Sequence, residues 1–437
     1  MTATQKAPEK SFTVLQATFI GVGSMVGAGI FALLGAAGAV AGSAVWLSFL
    51  VAGAIAGLQG YSFAKMAATF PSGGGMLSFL AKGFGEGHVA GVGSWLFYIT
   101  TWIVAAMVAS SFGGYASAVL ANDDPTWAKV FAVALVVVMT GLNIVGASAV
   151  AKVQSLIVKV VLAILTFFAV VTIANWDPSL LDPSGYPGAK ELISSVALTF
   201  FAFLGFGVIT FTAKDLPDPA SQLPKAMYLA LGIATGIYVA VSLGVFGTLT
   251  ADQVVQYGPT ALAEAAKPTL GQAGYVLMVI TALFSTTGAV NAGLYPSIGM
   301  TQHLASVGQF PPVFGRSVSR RKAPVGLLVM AGMTIVVVAL FNLNAIASLG
   351  SAVALIIFAV ITSGHLRISG QTGANRGILV LAVLTTTVTF LVFCGTTLVD
   401  EPATAVALVV IFLFSLGIDL VWKHQRDRRV DVTTTQS

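Results

Sequence analysis

Cysteine is nearly absent from this chain: Cys394 is the only one in 437 residues, and it lies in a late apolar run. A disulfide framework and a cysteine-held metal cluster are thereby excluded. Histidine is scarce as well. His88, His303, His365 and His424 are scattered near the ends of apolar runs, so no ligand cluster forms and no metal is expected. Charge is the third shortage, at only 8% of residues, against about 25% in average soluble chains. No nucleophile, base and metal set converges anywhere, which argues against an enzyme and leaves no cofactor to expect.

What fills the chain instead is apolar, 57% of it by residue. About 20 such residues in a row cross a bilayer. On that measure the chain reads as an all-α polytopic membrane protein with twelve transmembrane helices. Approximate limits are 14–40, 44–69, 90–120, 127–147, 153–174, 192–213, 226–249, 271–299, 323–342, 345–364, 377–397 and 403–422. The softest features are the length of the third span and the division of the ninth from the tenth near Asn342 and Asn344. One transmembrane domain is expected over residues 1–437, ending in a polar tail at 423–437. The N-terminus lacks a cleavage pattern, so the first span is read as retained.

Sorting the basic residues over this topology gives an orientation. Seventeen, from Lys6 and Lys10 to Arg429, fall on the side of the N-terminus; Lys129, Lys190 and Lys267 fall opposite, and Lys159 lies within a span. Both termini are therefore expected in the cytoplasm. The formal charge of +5 comes from these loops and calls for no nucleic acid. The tail KHQRDRR, residues 423–429, reads as a stop beside lipid headgroups.

Two spans are unusual. Residues 21–31 read GVGSMVGAGIF, with Gly21, Gly23, Gly27 and Gly29 around Ser24 at the middle of the first span. Glycine weakens a helix by about 0.8–1 kcal/mol against alanine. Such a stretch serves either a backbone-built ligand site, with amides aimed at an anion, or close packing of small residues between helices. Both readings stay open on this stretch alone. Residues 200–212, FFAFLGFGVITFT, form the second odd span, with Gly205 and Gly207 flanking Phe206. Interruptions five spans apart point to a transporter built from inverted repeats.

These residues resemble a known family. GVGSMVGAGIF is similar to the first-helix signature of the amino acid–polyamine–organocation transporters. YSFAKMAATFPSGGG (61–75) resembles the family's second helix and its exit; LNIVGASAVAKVQSLIVK (142–159), residues 200–219 and residues 285–312 continue the pattern, ending in VGQFPP. The ordered match covers roughly the first three quarters of the chain; the last helices agree in hydropathy only.

The resemblance implies the inverted-repeat fold of the sodium-coupled leucine transporter, with discontinuous helices 1 and 6 and substrate between them at mid-membrane. Repeat one would span about 12–175 and repeat two about 190–368, leaving helices at about 377–422 outside the 5+5 unit. It implies a plasma-membrane amino acid permease, in a bacterium an inner-membrane one, working by symport with protons. An amino acid, protons and lipids would then be its partners. Amides of Gly27, Ala28 and Gly29 would hold the substrate carboxylate, and carbonyls of Met25, Phe201, Ala202 and Leu204 its ammonium. Relatives commonly have a hydroxyl where this chain has Ala28, so main-chain donors would carry that end. Phe201 resembles the family's aromatic gate, although Phe200, Phe203 and Phe206 stand beside it. Gly207 replaces an acid found in many relatives, which favours a neutral substrate and leaves room for a bulky one.

Lys159 follows Lys152 by seven residues, which puts both on one helical face about 10 Å apart. A lysine at such depth is functional by default; snorkelling of its stem is the bland alternative. Proton-coupled, sodium-independent relatives carry a lysine here beside helix one. Lys159 is therefore the candidate for proton coupling, or a fixed brace for that helix. Lys65 and the pair Lys214–Asp215 are expected at the cytoplasmic face, Asn291 as a hydrogen-bonding partner of a neighbouring helix, and Asp419 at the membrane interface. Rival readings are an exchanger, an amine or polyamine carrier, and a non-transporting sensor or scaffold.

Overall fold

A computed structural model describes residues 13–72, 74–85, 87–145, 148–318 and 323–434. Lys6, Lys10, Gly73, Arg320, Arg321 and Lys322 lie outside the described residues, as do the side chains of Lys152, Lys214, Arg426, Arg428 and Arg429. The first half of the chain forms α1 (Val14–Ala41), α2 (Val45–Thr69), α3 (Met76–Phe84), α4 (His88–Leu120), α5 (Pro125–Val145) and α6 (Ser148–Ala174). Next come α7 (Ala189–Phe201), a 3₁₀ segment (Leu204–Lys214), α8 (Pro219–Phe246), α9 (Ala251–Tyr257), α10 (Ala261–Glu264) and α11 (Lys267–Ser306). The chain closes with α12 (Val325–Leu340), α13 (Leu343–Arg367), α14 (Ser369–Thr372), α15 (Arg376–Gly395), α16 (Thr397–Asp400) and α17 (Pro402–Thr434). A two-residue hairpin, β1 (Ser317–Val318) against β2 (Ala323–Pro324), precedes α12.

Among the described residues, ten stretches are long and apolar enough to cross a bilayer. One of them, Val14–Thr69, is 56 residues long and contains both α1 and α2, divided by a short 3₁₀ turn at Gly42–Ala44. The apolar helix α12 is shorter, at 16 residues. It stops at Leu340, and Asn342 restarts the chain as the cap of α13 by accepting from the Ala345 amide at 2.8 Å. At the start of α1, Thr13 and Gln16 form a reciprocal capping box. Asp124 caps α5, and the amides of Trp127 and Thr126 hold its carboxyl below the usual range. The outer faces of α15 and α17 present Leu391, Val406, Val409 and Leu413 away from the protein. Without water to meet it, such a surface belongs in lipid.

The packing has a mirrored pattern. α1 lies on α6 as α7 lies on α13; α4 meets α5 as α11 meets α12; α6 meets α11 as α13 meets α4. Further pairs follow the same rule, α5 with α11 against α12 with α4, and α1 with α8 against α7 with α2. Each partner in the second set is the element five spans away.

Polar ties pin this apolar bundle at buried points. Gln59 of α2 donates to Ala382 O at 3.1 Å and Thr386 Oγ1 at 2.7 Å, and accepts from Thr362, joining α2, α13 and α15. Asn143 donates to Asn291 Oδ1 at 2.8 Å, so Asn291 does bind a neighbouring helix, α5. Asp419 lies beside the first turn of α4 but is buried inside the protein. It is 1% exposed, with Oδ2 at 2.7 Å from His88 Nδ1 and 3.7 Å from Lys423 Nζ. Its carboxylate packs on Gly91 in the first turn of α4, where a helix end is positive.

The expected break in helix 1 is also corrected. α1 runs as unbroken α-helix from Val14 to Ala41. Its glycines are explained by neighbours instead. A Cβ on Gly27 would lie 2.6 Å from Ser285 O of α11, and one on Gly29 would lie 2.8 Å from Ala202 Cβ and strike Tyr238 of α8. The absent side chains let three helices approach a straight one.

Candidate substrate site

The sixth span breaks where α7 ends. Ala202 and Phe203 form a turn, and the chain continues as 3₁₀ helix over eleven residues, Leu204–Lys214. Runs of 3₁₀ beyond about four residues are uncommon, because their hydrogen bonds are poorly aligned. Tertiary contacts must hold this one. The amides of Ala202 and Phe203 turn to Thr199 O and Phe200 O at 3.1 and 3.0 Å. Tyr238 of α8 donates its hydroxyl to Ala202 O at 3.2 Å, supplying a partner at the break. Gly205 then sits directly on the backbone of α1: a Cβ there would lie 2.7 Å from Met25 N.

Tyr238→Phe should leave Ala202 O without that buried donor. We expect a destabilisation of roughly 1–3 kcal/mol, read as a lower melting temperature in detergent. An unchanged melting temperature would show that the break is held without Tyr238.

The break opens onto a cavity of about 70 Å³. Roughly 10–15 Å³ on this measure admits one water, so a small solute has room. α1 contributes Ser24 and Ala28; α4 contributes Phe97, Thr100, Thr101 and Val104; α11 contributes Ala292, Gly293, Pro296, Ser297 and Met300. Phe201, Ala202, Leu204, Gly205, Val208 and Phe211 come from the broken span, and Met76 from the start of α3. The polar side chains are hydroxyls. Thr100, Thr101 and Ser297 donate to their own helices at 2.8, 2.6 and 2.6 Å, so their hydroxyl oxygens retain capacity to accept. None of the described lining residues is charged.

Of the residues expected at the site, Ala28, Phe201, Ala202 and Leu204 line this cavity together. Met25, Gly27, Gly29 and Gly207 are not among its walls. Because α1 is unbroken, the amides of Gly27, Ala28 and Gly29 lie within its regular helix. Phe201 is buried and packs onto Gly350 of α13. The room expected at Gly207 is filled, since a Cβ there would overlap Met76 Cε. Sequence reasoning missed Gly205 as the contact glycine, although it marked the same GFG triplet. It also missed Thr100, Thr101 and Ser297, for which single hydroxyls in apolar helices gave no signal, and marked Ser24 only as part of the glycine-rich stretch.

Lys159 is exposed on α6, not buried as its depth suggested. Val158, Val161, Leu165 and Phe168 form the buried stripe of that helix, and position 159 lies off it. The ammonium nevertheless turns back to α1, with Nζ 5.2 Å from the Phe19 ring centre. A small void of about 10 Å³ between α1, α6 and α11 is lined by Gly23, Val26, Val158 and Ser285 among others, not by Lys159.

Comparison with known proteins decides the family. The model of a family described as amino acid permease matches residues 12–418. The chain belongs to the amino acid permease family. It is 29% identical over 409 residues to the inner membrane transport protein YbaT of Escherichia coli, covering 93% of this chain and 95% of that one. It is 25% identical over 374 residues to the methylthioribose transporter of Bacillus subtilis, covering 82% and 80%. The branched-chain amino acid permease BcaP of Bacillus subtilis is 26% identical over 270 residues, 57% of either chain. This permease is therefore a multi-pass secondary transporter of the amino acid–polyamine–organocation superfamily and not an enzyme. That membership implies the fold of the leucine transporter.

Proposed function

We propose that this permease imports a neutral amino acid together with protons by alternating access. The observation that carries the reading is a cavity at a helix break that offers hydroxyls and main-chain groups but, among the described residues, no charged side chain. A substrate with net charge would lose hydration there without a counter-ion. A zwitterion can set its two ends against backbone dipoles at the break and the hydroxyls of Ser24, Thr100, Thr101 and Ser297. The same lack of a carboxylate argues against an amine or polyamine. Ala28, Phe201, Ala202 and Leu204 form the substrate wall in this reading, and Met25, Gly27, Gly29 and Gly207 support it from behind.

We take the chain as one transmembrane domain of twelve spans. Counting α1 and α2 separately and adding α12 to the apolar stretches gives that number. Two inverted repeats of five are supported by the mirrored packing pairs, with α15 and α17 outside them. Both termini face the cytoplasm of a plasma membrane, on the bias of basic loops. Lys159, at the α1–α6 contact, is the proposed coupling residue.

Uptake into proteoliposomes tests the function. Accumulation of a neutral amino acid driven by a pH gradient alone is the expected result. Uptake only with substrate preloaded inside would replace symport with exchange. No flux of any amino acid or amine would make the protein a sensor or scaffold.

A further inference from the structure

The short helix α3 is not a span, yet its first residue reaches the cavity. Met76 is 1% exposed, and its amide donates to Thr210 Oγ1 at 3.0 Å. That hydroxyl in turn donates to Gly207 O at 2.6 Å. Gly75, at φ 54°, tucks the entry of α3 against Phe211; a Cβ there would lie 2.7 Å from that ring. The start of α3 is thus fastened to the 3₁₀ half of the broken span at two successive residues, Gly75 and Met76. Beyond them the Met76 thioether enters the space beside Gly207: a Cβ at 207 would overlap Cε and lie 3.2 Å from Sδ.

We propose that Met76 is the floor of the substrate cavity and sorts neutral amino acids by the size of an apolar side chain. The inference rests on the transport reading above, since it assigns a substrate class to that same cavity. Val208, Phe211 and Met300 line the same cavity as Met76 and give a substrate side chain nothing to hydrogen-bond. An aliphatic, aromatic or thioether side chain suits such a surface. Met76 itself is unbranched and adapts to its surroundings. What fixes its reach is the absent side chain at Gly207. The atom that a Cβ at 207 would strike is the free end of a flexible chain, so a substitution there displaces Met76 and spares the fold.

Thermal stabilisation of the purified full chain by alanine, leucine, methionine and phenylalanine reads the filter. Met76→Ala should shift the affinity ratio of phenylalanine over alanine upward by about tenfold, the usual weight of a methylene or two in an apolar pocket. Met76→Leu, of similar volume, should keep the wild-type order. Gly207→Ala should change the order when Met76 is present and leave it within about twofold when position 76 is alanine. An unchanged order in Met76→Ala overturns the inference. So does a Gly207→Ala effect that is the same with and without Met76. A wild type stabilised by none of the four amino acids overturns the transport reading itself, and the filter with it.

Discussion

Gly205→Val should abolish transport and destabilise the empty protein. The 3₁₀ segment lies on α1 so closely that a Cβ at 205 would be 2.7 Å from Met25 N and 2.8 Å from the carbonyl carbon of Ser24. Both are backbone atoms of an unbroken helix, which cannot step aside as a side chain does. Accommodating valine must part the two elements that wall the cavity. Overpacking of this kind costs roughly 1–3 kcal/mol, and the loss of the Ser24 and Ala28 wall should weaken binding by more than about tenfold. Gly207→Ala is the internal control. Its close contacts are with the flexible end of the Met76 side chain, so it should express and melt as the wild type does. Equal behaviour of the two variants in melting and uptake would refute the role given to Gly205.

Lys159→Ala carries the second large effect. For one proton per substrate, a pH step of one unit is worth about 1.4 kcal/mol, which is about tenfold accumulation. The variant should equilibrate its substrate and stop near equal concentrations, with the inward rate retained when both are supplied. The ammonium leans on Phe19 of α1, with Nζ 5.2 Å from the ring centre. Removing it takes away the charge at the α1–α6 contact and leaves the cavity wall untouched. Full accumulation in the variant would move proton coupling elsewhere. The pair of buried Asp419 and exposed His88 is then the next group to substitute.

How much of this was legible depends on what a residue's signal has to travel through. The split at Asn342 is local: an apolar run stops, and the asparagine side chain caps the next helix through an amide three residues on. The break at Ala202 is local too, written as two glycines and four phenylalanines within residues 200–207. Glycine crowding in α1 was ambiguous because close packing and backbone recognition leave the same mark in sequence. Only the positions of Ser285, Ala202 and Tyr238 separate the two, and they favour packing for Gly27 and Gly29.

Lys159 shows a different limit. Its spacing from Lys152 fixes a shared face but not where that face points. The stripe of Val158, Val161, Leu165 and Phe168 indicates the buried side, and 159 is off it. For Asp419 the decisive partner, His88, lies 331 residues away in the chain, beyond any local pattern. Met76 was hidden by belonging to a nine-residue helix, too short to count as a span. The cavity hydroxyls were hidden by their ordinariness, since threonines that bond to their own helix occur throughout the bundle.

The most direct measurement is a density map of the protein saturated with the neutral amino acid that stabilises it most. The ligand should lie between Ser24, Ala28, Phe201, Ala202 and Ser297, its side chain directed toward Met76. A saturated sample with that space empty, or with the amino acid bound elsewhere, would contradict the site and the transport cycle built on it.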